Sequence, residues 1–544
     1  MARLDWIVIG AYFAGIVTIA FLLGRSQRNQ RDYYLAGGTT RWWHSGFSTM
    51  ATQLGAISFV SAPAFVALKD GGGMKWLAYE FGVPIGILIV AIFIIPTLHR
   101  GGYISIYEYL ERRFDRRTRN LVSALFQLGR GLATAVSVLA GGLIISTALP
   151  LSTAQAILVI GAVTILYDAA GGIKAVIISD VIQMCIIFIG IVVCGYAALR
   201  LVGWGAAWRA LPAERLTVLD FGEWGLTSGG SYGFWPMAIG GIFLYASYYG
   251  CDQSQVQREL SIGSVGGVRK SLLFNAFGRF PVVLCYCVMG VIIGAVFSST
   301  AHMAEVASVM GMSKAALIDT LGRDPDRMVP MFILTFLPTG LIGFVLVAIV
   351  SALMSSLDSA VNSLSAVTVQ DFYKVYVRPE ASEKHYLVVS KLFTLLWGAF
   401  CIAAALAFAA VGEATRQTTI VLINSVGSLL YGPILAAFII GITIKRVKAR
   451  SMISGVAAGL ILNVVLWQMT DVSWLWWNLT GFAAAGGSSL LLTIPAERGE
   501  AGERAEPAGE RAVSRIISKW RFSYTLVVIY FFLIIFVASL IEGI

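Results

Sequence analysis

The sequence predicts an all-α protein that crosses a membrane many times, and three observations carry that prediction. Apolar residues make up 57% of the 544 residues and charged residues 13%, about half the ~25% usual in soluble domains. The apolar residues gather into runs of roughly 18 or more, the length that spans a bilayer as a helix. Basic residues cluster between alternate runs, as they do in loops on the inner side of a membrane. This composition excludes an ordinary soluble enzyme, a disordered chain and a nucleic-acid binder, and the net charge of +10 reflects membrane topology.

Taken in order, the runs cover residues 5–24, 42–68, 76–98, 119–149, 152–170, 174–201, 234–257, 268–298, 339–372, 384–410, 415–444, 450–470, 474–494 and 520–542, fourteen in all. Lipid satisfies no backbone donor or acceptor, so runs of this length read as helices. The first is followed, not preceded, by Arg25, Arg28 and Arg31, and no A-x-A site closes it, so it reads as a span and not a secretory signal. With the N-terminus outside, most of the forty Lys and Arg, Arg258 among them, fall in inside loops, which places both termini outside. Residues 104–119 (ISIYEYLERRFDRRTR) read as an amphipathic helix on the inner surface. Residues 497–510 read as a flexible polar linker. No stretch is left for a soluble catalytic or sensor domain. The six cysteines lie in apolar stretches without CxxC pairing, and the four histidines form no metal motif.

Three runs are too polar for lipid-facing helices. The second carries Ser48, Thr49, Thr52, Gln53, Gly55, Ser58, Ser61 and Pro63. Gly and Pro weaken a helix, and an unwound turn frees carbonyls to coordinate a cation at mid-membrane; close packing through small residues is the alternative. The seventh repeats the anomaly, with Gly240, Gly241 and Gly250 around Tyr245, Ser247, Tyr248 and Tyr249. Glycine-interrupted spans in corresponding positions of two halves point to a transporter's binding site, whereas the tyrosines alone would also suit an interface belt. In the ninth, Ala352, Ser355, Ser356, Ser359 and Ser363 fall at i, i+3, i+4, i+7 and i+11 on one helix face, with Asp358 beside them. A stripe of oxygen ligands suits a small hard cation, and a packing stripe does not explain a buried acid.

Ionisable groups at depth complete the set. Arg130 lies mid-span in the fourth run with Gln127 one turn earlier, and a central Arg demands a partner, either an anionic solute or an acid such as Glu80. Asp180 and Glu80 sit at similar depth in the sixth and third runs. Arg279 in the eighth reads as snorkelling or paired internally.

The segments MATQLGAISFVSAPAF, ISIYEYLERRF, GGIKAVIISDVIQ, GCDQSQVQREL, SALMSSLDSAVNSLSAVTVQDFY and GSLLYGPILAAFIIGI, in that order, resemble the sodium:solute symporter family, which includes sodium/glucose cotransporters and bacterial proline and sialic acid symporters. The resemblance runs from about residue 5 to 470. It implies fourteen helices and a leucine-transporter-like core of two inverted five-helix repeats, the first helix of each discontinuous. The first helix and an inner loop would occupy 1–41, the first repeat 42–201, an outer loop 202–233 and the second repeat 234–444. Peripheral helices 12–14, with a polar inner linker near 495–518, would fill 445–544. The shared sodium site would use the backbone of Ala51, Leu54 and Ala352 and the hydroxyls of Ser355 and Ser356. In members moving two sodium ions, a second cation site would use Asp180, Ser355, position 358 and Ser359; Asp358 stands where some members have serine, which leaves that ion's identity open. The solute site would gather Gln53, Ser58, Glu80, Arg130, Tyr245 and Asn424, with Tyr248 as inner gate. Arg130 matches the position where a sialic acid symporter holds the substrate carboxylate, and Gly278 stands where sugar carriers have lysine.

The expectation is therefore a sodium-coupled symporter in a plasma membrane of bacterial inner-membrane type, not an enzyme. It would import a small polar organic solute, a sialic acid or other organic acid in the favoured reading, by alternating access. A neutral sugar or polyol is the alternative, as is proton coupling through Asp180 and Asp358. One or two sodium ions, the solute and the lipid bilayer are the expected partners; neither nucleic acid nor an obligatory protein partner is indicated.

Overall fold

A computed structural model describes residues 1–227, 231–411, 419–493 and 510–542. The described chain is helical, and the isolated bridges from Thr39 and Thr40 to Ile262 are its only β pairing. The elements that position the site are α1 (Arg3–Gly24), α2 (Trp42–Gln53), α3 (Ala56–Ala67), α4 (Met74–Gly101), α5 (Arg116–Ala148), α6 (Thr153–Val202), α7 (Gly241–Cys251), α8 (Gln253–Leu260), α9 (Val265–Ser298) and α10 (Leu341–Val377). Beyond them lie α11 (Glu383–Val411), α12 (Thr419–Thr443), α13 (Ala449–Met469), α14 (Trp476–Leu491) and α15 (Glu510–Ile541).

Ten described helices are long and apolar enough to cross a membrane, or eleven if the bent pair α2–α3 is one span. The protein is an all-α multi-pass membrane protein. Four of the fourteen expected spans take another form. The fifth and sixth are halves of α6, whose 50 residues would reach ~75 Å at 1.5 Å per residue, more than twice the ~30 Å hydrocarbon core. The two halves meet at Gly172, where φ 58° and ψ −169° leave the helix. A side chain there would also stand 2.8 Å from the Tyr33 carbonyl oxygen, so the hinge requires glycine. The seventh and thirteenth spans appear as α7 and α14, only 11 and 16 residues long. The seventh stops short because Asp252 is extended (φ −88°, ψ 118°) and opens the polar helix α8.

Burial sorts the helices into a core and a rim. In the most apolar window, 83% of residues are buried in α10 and 78% in α9, against 11% in α1 and 22% in α11 and α15, so the first two form the centre and the others face lipid. Around α10 pack α1, α5, α6, α11 and the junction of α2 with α3. On the other side, α7 packs against α4 and α12.

Two long-range caps hold this arrangement. The Asp5 carboxylate accepts hydrogen bonds from the backbone N–H of Gly340 (2.7 Å) and Gly343 (2.9 Å), placing an acid at the positive end of α10. At the opposite kind of terminus, Arg113 donates to the carbonyls of Gly441, Ile444, Lys445 and Val447 at 2.8 to 3.3 Å. One guanidinium thereby binds carbonyls in the last turn of α12 and in the segment just past it.

Two surface expectations need correction. The amphipathic helix expected over 104–119 is a six-residue helix, Glu108–Arg113, broken at Phe114 (φ −118°, ψ −92°). Arg119 belongs to α5 and is buried, bound to Asp371 (2.5 Å) and Glu111 (2.6 Å) instead of facing headgroups. The linker expected near 495–518 lies outside the described residues over 495–509, and α15 begins within it at Glu510.

Candidate functional site

The site forms where α2 gives way to α3. Leu54 (φ −90°, ψ 52°) and Gly55 interrupt the helix, and the two segments meet at 50°. A Cβ on Gly55 would stand 2.7 Å from Ser356 Oγ, so glycine lets the serine face of α10 close onto the break. Ser356 Oγ lies 3.3 Å from the carbonyl oxygens of both Thr52 and Ala352. The sequence-predicted set of Ala51, Leu54, Ala352, Ser355 and Ser356 is thus gathered at one junction, where interrupted helix and hydroxyls offer the oxygens a hard cation takes. The two hydroxyls diverge, however: Ser355 Oγ donates to Asp180 Oδ1 on α6.

Asp180, Ser355, Asp358 and Ser359 are also brought together. Ser359 Oγ lies 3.1 Å from Asp358 Oδ1 and 3.0 Å from Thr52 Oγ1. A fifth group enters that the sequence reading had assigned to a loop. Arg258 on α8 is fully buried, with Nη2 at 3.2 Å from Asp180 Oδ2 and Nε donating to Ser48 Oγ at 2.7 Å. Its remaining donors reach Ser359 Oγ and the Ser254 carbonyl. Asp180 therefore already has a cationic partner. Asp358 instead accepts from Tyr167 Oη, and next to Tyr167 the buried Asp168, also missed in the sequence, accepts from Asn362 Nδ2 at 3.1 Å.

On the other side of the break a cavity of about 130 Å³ opens. All six predicted solute-site residues, Gln53, Ser58, Glu80, Arg130, Tyr245 and Asn424, line it together with Tyr248. Their pairing differs from expectation. Glu80 is not the partner of Arg130: it takes Arg279, whose Nε and Nη2 donate to Oε2 (2.9 Å) and Oε1 (3.1 Å), a bidentate geometry. Tyr245 Oη adds a third donor to Glu80 at 3.1 Å, and Arg279 Nη1 also donates to Gln53 Oε1. Arg279 thus pairs internally, as one sequence alternative held, while lining the cavity.

Arg130 stands apart. Its nearest carboxylate is Asp252, with Nη1 and Oδ2 separated by 3.6 Å, and its Nε has no hydrogen-bond partner among the described residues. The Tyr248 ring lies 5.9 Å from the guanidinium carbon, within cation–π range. Gln127 does not join it, because Gln127 Oε1 accepts from Thr368 Oγ1 at 2.7 Å. Among the described residues Gln53 Nε2 is another buried donor without a hydrogen-bond partner, and Tyr79 Oη donates to Asn424 Oδ1 at 3.1 Å. The cavity thus offers a polar wall centred on the Glu80–Arg279 pair and, at Arg130, a guanidinium with unused hydrogen-bonding capacity.

The profile of the Sodium:solute symporter family matches residues 33–459. Over 443 residues the chain is 27% identical to the human sodium/iodide cotransporter, covering 80% of this chain but 65%, just under two thirds, of that protein. It is 28% identical to the sodium/sialic acid symporter NanT of Aliivibrio fischeri over 88% of this chain and 90% of that one. In three dimensions it superimposes on the substrate-bound, outward-open structure of a Na⁺-coupled sialic acid symporter with a TM-score of 0.78, at 23% identity, covering 91% of this chain and 99% of that one. With more than three quarters of its length matched in one stretch, the chain belongs to the sodium:solute symporter family, as a sodium-coupled symporter and not an enzyme.

Proposed function

We propose that this symporter imports a carboxylated organic solute, a sialic acid or another small organic acid, with Arg130 holding the carboxylate. The observation that carries the proposal is the charge of the cavity wall: Arg130 and Arg279 against the single acid Glu80, with Arg279 already committed to Glu80. A mid-membrane guanidinium in loose contact with Asp252 is a ready partner for a carboxylate, which it binds through two parallel hydrogen bonds. Gln53, Ser58, Tyr245 and Asn424 then face the rest of the solute, and Tyr248 closes the cavity beneath it as inner gate. The sialic acid symporter relatives support the same class. A neutral sugar or polyol is the second reading, favoured by the hydroxyl, amide and carboxylate groups around Glu80.

In this proposal sodium binds at the α2–α3 break through the backbone of Ala51, Leu54 and Ala352 and the hydroxyls of Ser355 and Ser356. Fourteen spans in two inverted five-helix repeats, 42–201 and 234–444, place both termini outside a plasma membrane. Each positive charge moved inward gains about 2.3 kcal/mol per 100 mV, and a tenfold sodium ratio adds about 1.4 kcal/mol. One sodium per monovalent acid is electroneutral and uses the sodium ratio alone, whereas two make uptake sensitive to voltage.

The test is Arg130→Lys in proteoliposomes, preceded by a screen of sialic acids, monocarboxylates, sugars and polyols. Lys cannot supply the parallel pair, so affinity for the carboxylated solute should fall by about 1.5–3 kcal/mol, the range for hydrogen bonds to charged groups, with sodium binding unchanged. Intact affinity with a lowered melting temperature returns neutral solutes to the front.

A further inference from the structure

Arg269 is a buried charge that neither region described above uses. It stands one turn into α9 and is only 6% exposed. Its Nε donates to the Ala91 carbonyl on α4 at 3.4 Å. That carbonyl lacks a donor of its own helix: α4 widens to a π-turn over Val90–Ile94, Ile95 N–H goes to Val90, and Pro96 has no N–H to give. The bond orients the guanidinium but occupies only one of its nitrogens. Among the described residues Arg269 enters no ion pair, and its buried Nη2 has no hydrogen-bond partner.

The surroundings add more positive charge. On α15 the Trp520 ring lies 5.8 Å from the Arg269 guanidinium carbon, within cation–π range. Tyr524, one turn on, is 6% exposed, and its Oη also has no hydrogen-bond partner among the described residues. The groups that act on the charge of Arg269 are Tyr524 and a second cation, Arg100, at the end of α4. Residues 91–103, 262–275 and 518–530 hold Arg100, Arg269, Lys270, Lys519 and Arg521 and not one Asp or Glu; the four besides Arg269 are exposed. Basic residues at a membrane surface suit topology in general. Topology does not bury one of them away from every acid, which is costly, so Arg269 calls for an anion that the chain itself does not supply.

We propose that this corner of the bundle, where α4 ends and α9 and α15 begin, binds the phosphate of an anionic phospholipid headgroup. Arg269 and Tyr524 Oη donate to the phosphate oxygens, and Arg100, Lys270, Lys519 and Arg521 favour a headgroup of net negative charge over a zwitterionic one. A guanidinium suits phosphate in charge and geometry, and basic pockets between membrane helices are where such headgroups are held. Only 22% of the most apolar window of α15 is buried, so lipid reaches the corner along its side. Bound there, the headgroup ties α15 to α4 and α9, the helices that carry Glu80 and Arg279.

Titration of the purified full-length protein in neutral detergent with phosphatidylglycerol tests the site, read as the rise in melting temperature that a ligand of the folded state produces. Phosphatidylcholine and inorganic phosphate are titrated in parallel. Phosphatidylglycerol should stabilise the wild type at lower concentration than phosphatidylcholine, and inorganic phosphate should not reproduce the effect. Arg269→Gln should raise the half-saturating phosphatidylglycerol concentration at least about tenfold, as loss of hydrogen bonds to a charged group does. Tyr524→Phe keeps the ring and removes one donor, so it should raise that concentration about 2–10-fold; it also keeps the test open should Arg269→Gln fail to fold. Arg446→Gln, at an exposed basic residue after α12, should leave it unchanged. Unchanged half-saturation in both site variants overturns the site, as does an equal loss in Arg446→Gln, the mark of diffuse surface charge. Equal stabilisation by phosphatidylcholine overturns the anionic headgroup. Stabilisation by inorganic phosphate that disappears in Arg269→Gln refutes the lipid and assigns the corner to a free anion.

Discussion

The two sides of the α2–α3 break carry opposite surpluses of charge. On the α6–α10 side, three buried acids face one arginine; on the cavity side, two arginines line the wall with one glutamate. In each region one Arg–carboxylate pair is complete, Arg258 with Asp180 and Arg279 with Glu80. What remains is two acids on one side and, on the other, Arg130 in loose contact with Asp252 at 3.6 Å. Complete pairs hold the scaffold together, and in the proposed function the incompletely paired Arg130 is where a solute carboxylate goes.

The strongest test of that division attacks a complete pair. Arg258→Met leaves Asp180 buried without its partner and should cost about 3–5 kcal/mol of stability, whereas changing both partners to apolar residues should recover most of it. Melting temperatures of the two variants decide the point, and a mild effect of Arg258→Met would mean that Arg258 is not structural. A smaller effect is expected for Ser355→Ala/Ser356→Ala. Its half-saturating sodium concentration should rise at least about tenfold with solute affinity at saturating sodium preserved, and parallel loss of both would erase the boundary between the regions.

Asp252 sharpens the cavity side. It stands 3.6 Å from Arg130 and also caps α8 by accepting from Ser254 N at 2.8 Å. Asn caps a helix as well as Asp does but carries no charge, so Asp252→Asn should tighten carboxylated-solute binding by about 1 kcal/mol, the water-screened value for charges ~4 Å apart. Calorimetry in nanodiscs measures it; weaker binding would assign Arg130 to the scaffold.

The smallest effect belongs to a control outside both regions. Burial alone would raise the Glu111 carboxyl, but hydrogen bonds from Arg119 and Arg116 outweigh it and hold the group below its ordinary value. A depressed carboxyl stabilises the fold above the unfolded value of about 4.3 and loses that contribution as pH falls through the folded value. Glu111→Gln should thus lower the melting temperature slightly at pH 7, on the surface-pair scale of about 0–1 kcal/mol, and the gap should shrink below about pH 4.

Much of this was legible before any coordinates. Ser355, Ser356 and Ser359 share a face by period alone, and Asp180, Asp358, Glu80 and Arg130 stand out because charge is costly in an apolar run. Arg258 escaped because the seventh run ends at residue 257 in the sequence, which puts the arginine at the start of an inner loop; its burial depends on α8 packing against α2 and α10. An excess of deep acids over deep bases was the available signal. Asp168 sits three residues before paired glycines at the end of a span, where an acid ordinarily meets water. Which arginine takes Glu80 depends on tertiary placement: α4 lies against α9, so Arg279 is nearer than its competitor.

The Arg113 clamp on α12 has a consequence for the order of assembly. Arg113 precedes Gly441 by 328 residues, so at a synthesis rate of about 5–20 residues per second the guanidinium waits tens of seconds for the carbonyls it will bind. Until then the end of α12 does not exist, and neither do Asn424 and Tyr431, the residues by which that helix closes the cavity. The earlier helices are in the bilayer first, α2, α3 and α10 among them. A nascent chain therefore completes the α2–α3 break and the serine face of α10 well before it can close the cavity beside them.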